Sequence, residues 1–162
     1  MQYPVCQYFA HTLDAAEKVL GDDAMIALVR ELRQQQHELR WTQNPNYVAH
    51  EPTPGFLQNY AYAEIIGAKG TLPSKNLLLG VMLLGPYTLY PTHEHPASEV
   101  YVVLAGNANW QRDGGEWVLH PPNQPIYHAP WVRHATQTQA EPLLALYIWW
   151  GQIEQAASIS RV

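Results

Sequence analysis

The chain has 162 residues, within the ~100–200 of one compact domain, so a single core is expected. Its 9 Lys+Arg and 14 Asp+Glu amount to only 14% of the residues, against roughly 25% in an average soluble domain, and 10 Tyr, 6 Trp, 13 Pro and 8 His stand in their place. A net charge of -5 with no basic cluster argues against a nucleic-acid or membrane partner; without an apolar run near ~20 residues or a basic leader, a cytoplasmic protein is expected. The single Cys6 excludes an internal disulfide or a multi-thiolate metal site, which leaves nitrogen and oxygen as metal donors.

Ten of the charged residues lie between Asp14 and Arg40. A short helix is expected from about Leu13 to Leu20. After the Gly21 break, Met25, Ile26, Leu28, Val29 and Leu32 follow the spacing of an amphipathic helix that Asp22 or Asp23 would cap. Residues 1–42 therefore read as a helical segment packing on a barrel formed by the later strands. Residues 43–58, with Pro45, Pro52 and Pro54, read as a connecting loop. From 59 to 152, short apolar and aromatic runs recur between Gly, Pro and Asn: Asn59–Ile66, Asn76–Leu84, Glu99–Leu104, Ala108–Arg112, Glu116–Leu119, Ile126–His128, His134–Thr138 and Leu143–Trp150. Eight close-set strands indicate an all-β sandwich or barrel, with 153–162 as a C-terminal tail.

The chemistry concentrates in Tyr90-Pro-Thr-His-Glu-His-Pro-Ala-Ser-Glu-Val-Tyr101. His93, His95, Glu99 and Tyr101 share one parity, so an extended chain would aim all four at the same face, although Pro96 interrupts the pleat. Two imidazoles and a carboxylate suit Zn²⁺, Fe²⁺, Mn²⁺ or Ni²⁺, and His134, in a turn entering a strand, is the best further ligand. His120 and His128, near strand ends, are pocket candidates. Tyr101 and Tyr90 flank the candidate ligands, and a divalent cation favours phenolate over phenol, which makes either one a candidate general base.

At these residues the sequence resembles the cupin superfamily, through Gly85, His93-Glu-His95, Glu99, Gly106 and the later His134. It lacks the second motif's usual Gly and trailing Asn. A closer resemblance is to the dimethylsulfoniopropionate lyase family of cupins, carried by Tyr90 to Tyr101, Pro130 to Thr136, Glu141 to Gly151 and Tyr60-Ala-Tyr-Ala-Glu64. The resemblance implies an all-β double-stranded β-helix, a jelly-roll barrel, with one divalent transition metal ion held by His93, His95, Glu99 and His134. It also implies β-elimination of a sulfonium from a small carboxylate substrate, releasing dimethyl sulfide and acrylate. Tyr101 is favoured as base, with Tyr90 orienting substrate. Tyr87, Trp110, Tyr127, His128, Trp131 and Trp149 are the substrate-binding candidates, since a sulfonium can sit over a π-face. The same ligands would serve another cupin enzyme, a dioxygenase or isomerase, or a non-catalytic metal-binding cupin. A homodimer is the expected assembly.

Overall fold

The computed structural model describes residues 3–160. A 3-10 turn at Pro4–Tyr8 leads into α1 (Phe9–Val19), which begins four residues before the expected Leu13 because Phe9 joins Leu13, Ala16 and Leu20 in one buried stripe. Helix α2 (Asp23–Gln34) is capped by Asp22, whose Oδ1 accepts the Met25 N–H at 3.0 Å. Arg33 reaches back to Asp14 (2.8 Å) and Glu17 (3.2 Å) on α1.

The chain then forms β1 (Trp41–Thr42) and α3 (Pro45–Ala49). The expected loop over 43–58 thus holds a helix: Asn44 caps it through the Asn46 N–H, and Pro45 occupies a first-turn position where its missing N–H costs nothing. The remaining strands are β2 (Tyr60–Ile66), β3 (Leu77–Leu84), β4 (Leu89–Glu94), β5 (Ala97–Ala105), β6 (Ala108–Arg112), β7 (Val118–His120), β8 (Pro125–His128), β9 (His134–Thr138), β10 (Leu143–Gly151) and β11 (Ser158–Ile159). Three strands lay outside the expected set. β1 and β11 have two residues each, and β4 carries Pro91 and three polar residues in a stretch without apolar alternation.

Two antiparallel sheets result, in the orders β1-β2-β3-β10-β5-β8 and β11-β4-β9-β6-β7. No ladder joins them among the described residues, so the closed barrel expected from sequence is instead a pair of facing sheets. The chain passes from one sheet to the other at His95–Pro96, where proline cannot donate to a continuing ladder. The expected tail also belongs to the fold. β11 pairs with β4 at His93 and Glu94, and both Asn44 and Asn46 donate side-chain amide hydrogens to the Ala157 carbonyl at 2.9 Å.

The six-stranded sheet is buried on both faces. Its outer face, including Ala61, Ala63, Val81, Leu83, Leu104, Leu144 and Leu146, packs under α1, α2 and Trp41; its inner face packs against the second sheet. Burial on both sides explains why Leu77–Leu84 and Leu143–Trp150 are nearly continuous apolar runs rather than alternating ones. Gly106, at φ 85, turns the chain after β5 against the Pro142 carbonyl, where a side chain would collide.

Candidate functional site

Strand register writes the inner face as rows. Leu78, Trp149, Glu99 and His128 lie side by side across β3, β10, β5 and β8; the next row runs Glu64, Gly80, Tyr147, Tyr101 from β2 to β5. Facing them, β4 and β9 bring His93 directly opposite His134. The four residues of common parity therefore do not share one strand. His93 sits on β4, His95 on the crossing, and Glu99 and Tyr101 on β5 of the other sheet, so the ligand candidates converge from both sheets.

The convergence is tight and dry. His93, His95, Glu99, His128 and His134 are each at most 2% exposed. Glu99 Oε2 lies 3.0 Å from His95 Nε2, 3.2 Å from His134 Nε2 and 3.4 Å from His128 Nδ1, while the Trp149 indole N–H donates to Oε1. Ligand atoms of His95, Glu99 and His134 fall within 4.8 Å of one another. His93 stands outside that trio, its ring 4.1 Å from that of His134 and stacked on Tyr90 at 4.0 Å.

The tautomers are set by the backbone. His93, His95 and His134 each direct Nδ1 at a carbonyl oxygen, of Pro91 (2.8 Å), Ala97 (3.0 Å) and Val132 (2.9 Å). A carbonyl only accepts, so Nδ1 carries the proton and the neutral ring keeps its lone pair on Nε2. In His95 and His134 that lone pair faces a carboxylate oxygen, acceptor against acceptor, and His134 Nε2 is buried without a hydrogen-bond partner. A cation between them relieves this opposition, and backbone-anchored Nδ1–H groups are the usual outer support of histidine ligands. The residues present therefore fit a divalent transition metal ion. Burial would raise the Glu99 carboxyl, but hydrogen bonding led by His128 outweighs it and holds the group well below its ordinary value. Burial keeps His93 well below the usual imidazole range.

A cavity of about 580 Å³ opens from this cluster, walled by Tyr60, Tyr62, Met82, Tyr90, Glu99, Tyr101, Tyr147 and Trp149. Asn44 and Pro45 near α3, and Ile153, Ala156 and Ala157 before β11, complete the wall. Two of the chain's three lysines, Lys69 and Lys75, line its solvent end beside Glu64. The Tyr90 hydroxyl lies 3.1 Å from that of Tyr47, whereas burial and then the Glu99 charge raise Tyr101 well above the ordinary tyrosine value.

The expected substrate-binding set divides. Trp149 lines the cavity and also stacks on His95 at 4.0 Å. His128 and Trp110 are buried behind the cavity wall, with Trp110 packed on Tyr101 at 4.9 Å. Tyr87 (79% exposed) and Trp131 (53%) stand on left-handed turn residues facing solvent, and Tyr127 (48%) points outward from β8 against Trp150. These three do not reach the site, because turn geometry and strand parity point them outward. The cavity tyrosines Tyr60, Tyr62 and Tyr147 take the place expected for them. For Tyr60 and Tyr62 the signal was the alternation in Tyr60-Ala-Tyr-Ala-Glu64, with small residues toward the helices and large ones inward.

A family profile described as dimethylsulfoniopropionate lyase matches residues 1–145. The chain belongs to the dimethylsulfoniopropionate lyase family. Within that family it is 34% identical over 106 residues to the dimethylsulfoniopropionate lyase DddQ of Ruegeria pomeroyi, an overlap covering 62% of this chain and 50% of that protein. It is 30% identical over 155 residues to a protein of Cereibacter sphaeroides provisionally named as the lyase DddL, covering 94% of this chain and 61% of that protein. The chain thus spans about half to three-fifths of these relatives' lengths. The crystal structure of the Ruegeria pomeroyi DddQ superposes with a TM-score of 0.82 at 25% identity, over 99% of this chain and 78% of that one. A cupin-like protein of Thermotoga maritima shares the fold at a TM-score of 0.55 and 16% identity, over 63% of this chain and 76% of that one. The family's double-stranded β-helix is therefore the fold of this chain. No helix among the described residues is long and apolar enough to cross a membrane.

Proposed function

We propose that this chain is a metal-dependent carbon–sulfur lyase that cleaves dimethylsulfoniopropionate to dimethyl sulfide and acrylate. The observation that carries the reading, beside family membership, is the convergence of two Nδ1-anchored imidazoles on one oxygen of Glu99 inside a cavity walled by tyrosines and a tryptophan. His95, Glu99 and His134 would hold the ion, with His93 as the fourth ligand. Zn²⁺, Fe²⁺, Mn²⁺ and Ni²⁺ all suit this donor set. When bound, the ion supplies Lewis acidity, drawing developing negative charge from the substrate and favouring phenolate at an adjoining tyrosine.

Tyr101 is assigned as the base. Its neighbour in the cavity wall, Tyr90, has its hydroxyl engaged with Tyr47 and its ring stacked on His93, which suits it to orienting substrate. The Tyr101 oxygen takes the α-proton; the electrons of that C–H bond form the Cα=Cβ bond of acrylate, and the Cβ–S pair leaves on sulfur as neutral dimethyl sulfide. Tyr60, Tyr62, Tyr147 and Trp149 offer π-faces to the sulfonium, worth ~0.5–2 kcal/mol per well-placed ring. The test is incubation of purified, metal-analysed protein with dimethylsulfoniopropionate and headspace detection of dimethyl sulfide, beside a His134→Ala control. Dimethyl sulfide release that is lost in the control is expected. Protein that carries its metal and releases none refutes the reading.

A further inference from the structure

Glu99 Oε2 lies within 3.4 Å of a ring nitrogen of each of three imidazoles, His95, His134 and His128, and those imidazoles are not equivalent. His95 and His134 have each spent their single neutral proton on a backbone carbonyl, so neither donates to Oε2. His128 meets no such carbonyl among the described residues. Its Nδ1 lies 3.4 Å from Glu99 Oε2 in hydrogen-bonding geometry, and its Nε2 is buried without a partner among the described residues. In the neutral ring the proton is therefore placed on Nδ1, as the one N–H available to that oxygen. The other oxygen, Oε1, receives the Trp149 indole N–H.

Register holds this arrangement in place. Glu99 sits between Trp149 on β10 and His128 on β8, its direct cross-strand neighbours on either side. The His128 ring lies flat on His134 at 4.0 Å and 19°, and the Trp149 ring on His95 at 4.0 Å and 24°, so each donor is itself wedged by a candidate ligand. A carboxylate with a separate donor on each oxygen cannot swing about its terminal bond. It presents Oε2 to His95 and His134 in one orientation.

We infer that His128 is a positioning residue that, paired with Trp149, clamps the Glu99 carboxylate so that a single oxygen faces the metal position. The inference rests on reading the cluster as a metal centre. His128 does not line the cavity and so acts on substrate only through Glu99.

The test measures Zn²⁺ affinity by chelator competition in the full chain, in wild type, His128→Phe and His128→Asn. The Asn amide can place an N–H where Nδ1 stood, whereas Phe keeps the ring and removes the donor. Zn²⁺ binding is expected to weaken about 10–100-fold in His128→Phe, the scale of losing an outer-shell partner, and to recover largely in His128→Asn. Ring ¹⁵N chemical shifts of the wild-type protein check the role without any variant and are expected to show His128 protonated on Nδ1. Wild-type affinity in His128→Phe overturns the inference, as does an Nε2–H tautomer in wild type. A loss in His128→Asn equal to that in His128→Phe also overturns it, since donation would then not be what matters. A wild-type chain that takes up no Zn²⁺ overturns the metal centre itself, and this role with it.

Discussion

Tyr147 lies across Gly80, the residue directly opposite it in the β3–β10 ladder: a β-carbon at position 80 would fall 2.5 Å from the Tyr147 hydroxyl and would also meet the Ala63 carbonyl. The absent side chain is what lets a phenol lie flat along the cavity wall toward Glu64. Gly80→Ala is therefore expected to displace Tyr147 and cost ~1–3 kcal/mol, as overpacking does, lowering the thermal midpoint by several degrees. An unchanged midpoint would mean that Tyr147 moves aside freely.

The same hydroxyl is buried with no hydrogen-bond partner among the described residues. Leaving a polar group in that state costs roughly 1–3 kcal/mol, so Tyr147→Phe is expected to stabilise the free protein by about 1 kcal/mol. In a turnover assay it should alter KM more than kcat, since the Tyr147 ring forms part of the cavity wall. A destabilised Tyr147→Phe protein would count against the orphaned hydroxyl.

Removing the Tyr101 hydroxyl is expected to lower dimethyl sulfide release by ~10²–10⁴-fold while leaving bound metal unchanged, the range for loss of a general base. Tyr90→Phe should cost less and act mainly on KM, because its hydroxyl is held by Tyr47. Metal analysis and headspace kinetics on both variants check this pair. Near-normal turnover in Tyr101→Phe would transfer the base to Tyr90.

Chelation is expected to abolish turnover and lower the thermal midpoint, with both restored by a divalent transition ion. Ligand present at 100 times its dissociation constant stabilises a protein by about 2.7 kcal/mol. A chelated protein that retains full turnover would remove the metal from the reaction.

The metal-free protein should lose stability as pH falls below neutrality. Burial depresses His128 from 6.5 to about 4, against the opposing pull of Glu99, so between those values the unfolded chain binds the additional proton and stability rises with pH. The stability is fully present above 6.5 and declines toward 4. Glu99, held below its ordinary value of 4.5, adds a second loss in the same direction once pH falls under that value. Thermal unfolding in chelator across this range checks the slope, and a flat profile from 6.5 to 4 would contradict the buried neutral imidazole.

Local sequence by itself determined the helical segment and eight of the strands to within about two residues, and it marked His93, His95 and Glu99 as ligand candidates, because capping, alternation and close ligand spacing are properties of near neighbours along the chain. Only the tertiary structure decided which aromatic residues serve the site. Tyr87, Tyr127 and Trp131 are as aromatic as Tyr60, Tyr62 and Tyr147, and what separates them is strand parity, turn handedness and the helices that cover one face of the six-stranded sheet. The partnership of His128 and Trp149 with Glu99 spans 29 and 50 residues of sequence. It exists because β8 and β10 flank β5 in one register, and register is set by the packing of whole sheets, a relation that no local pattern records.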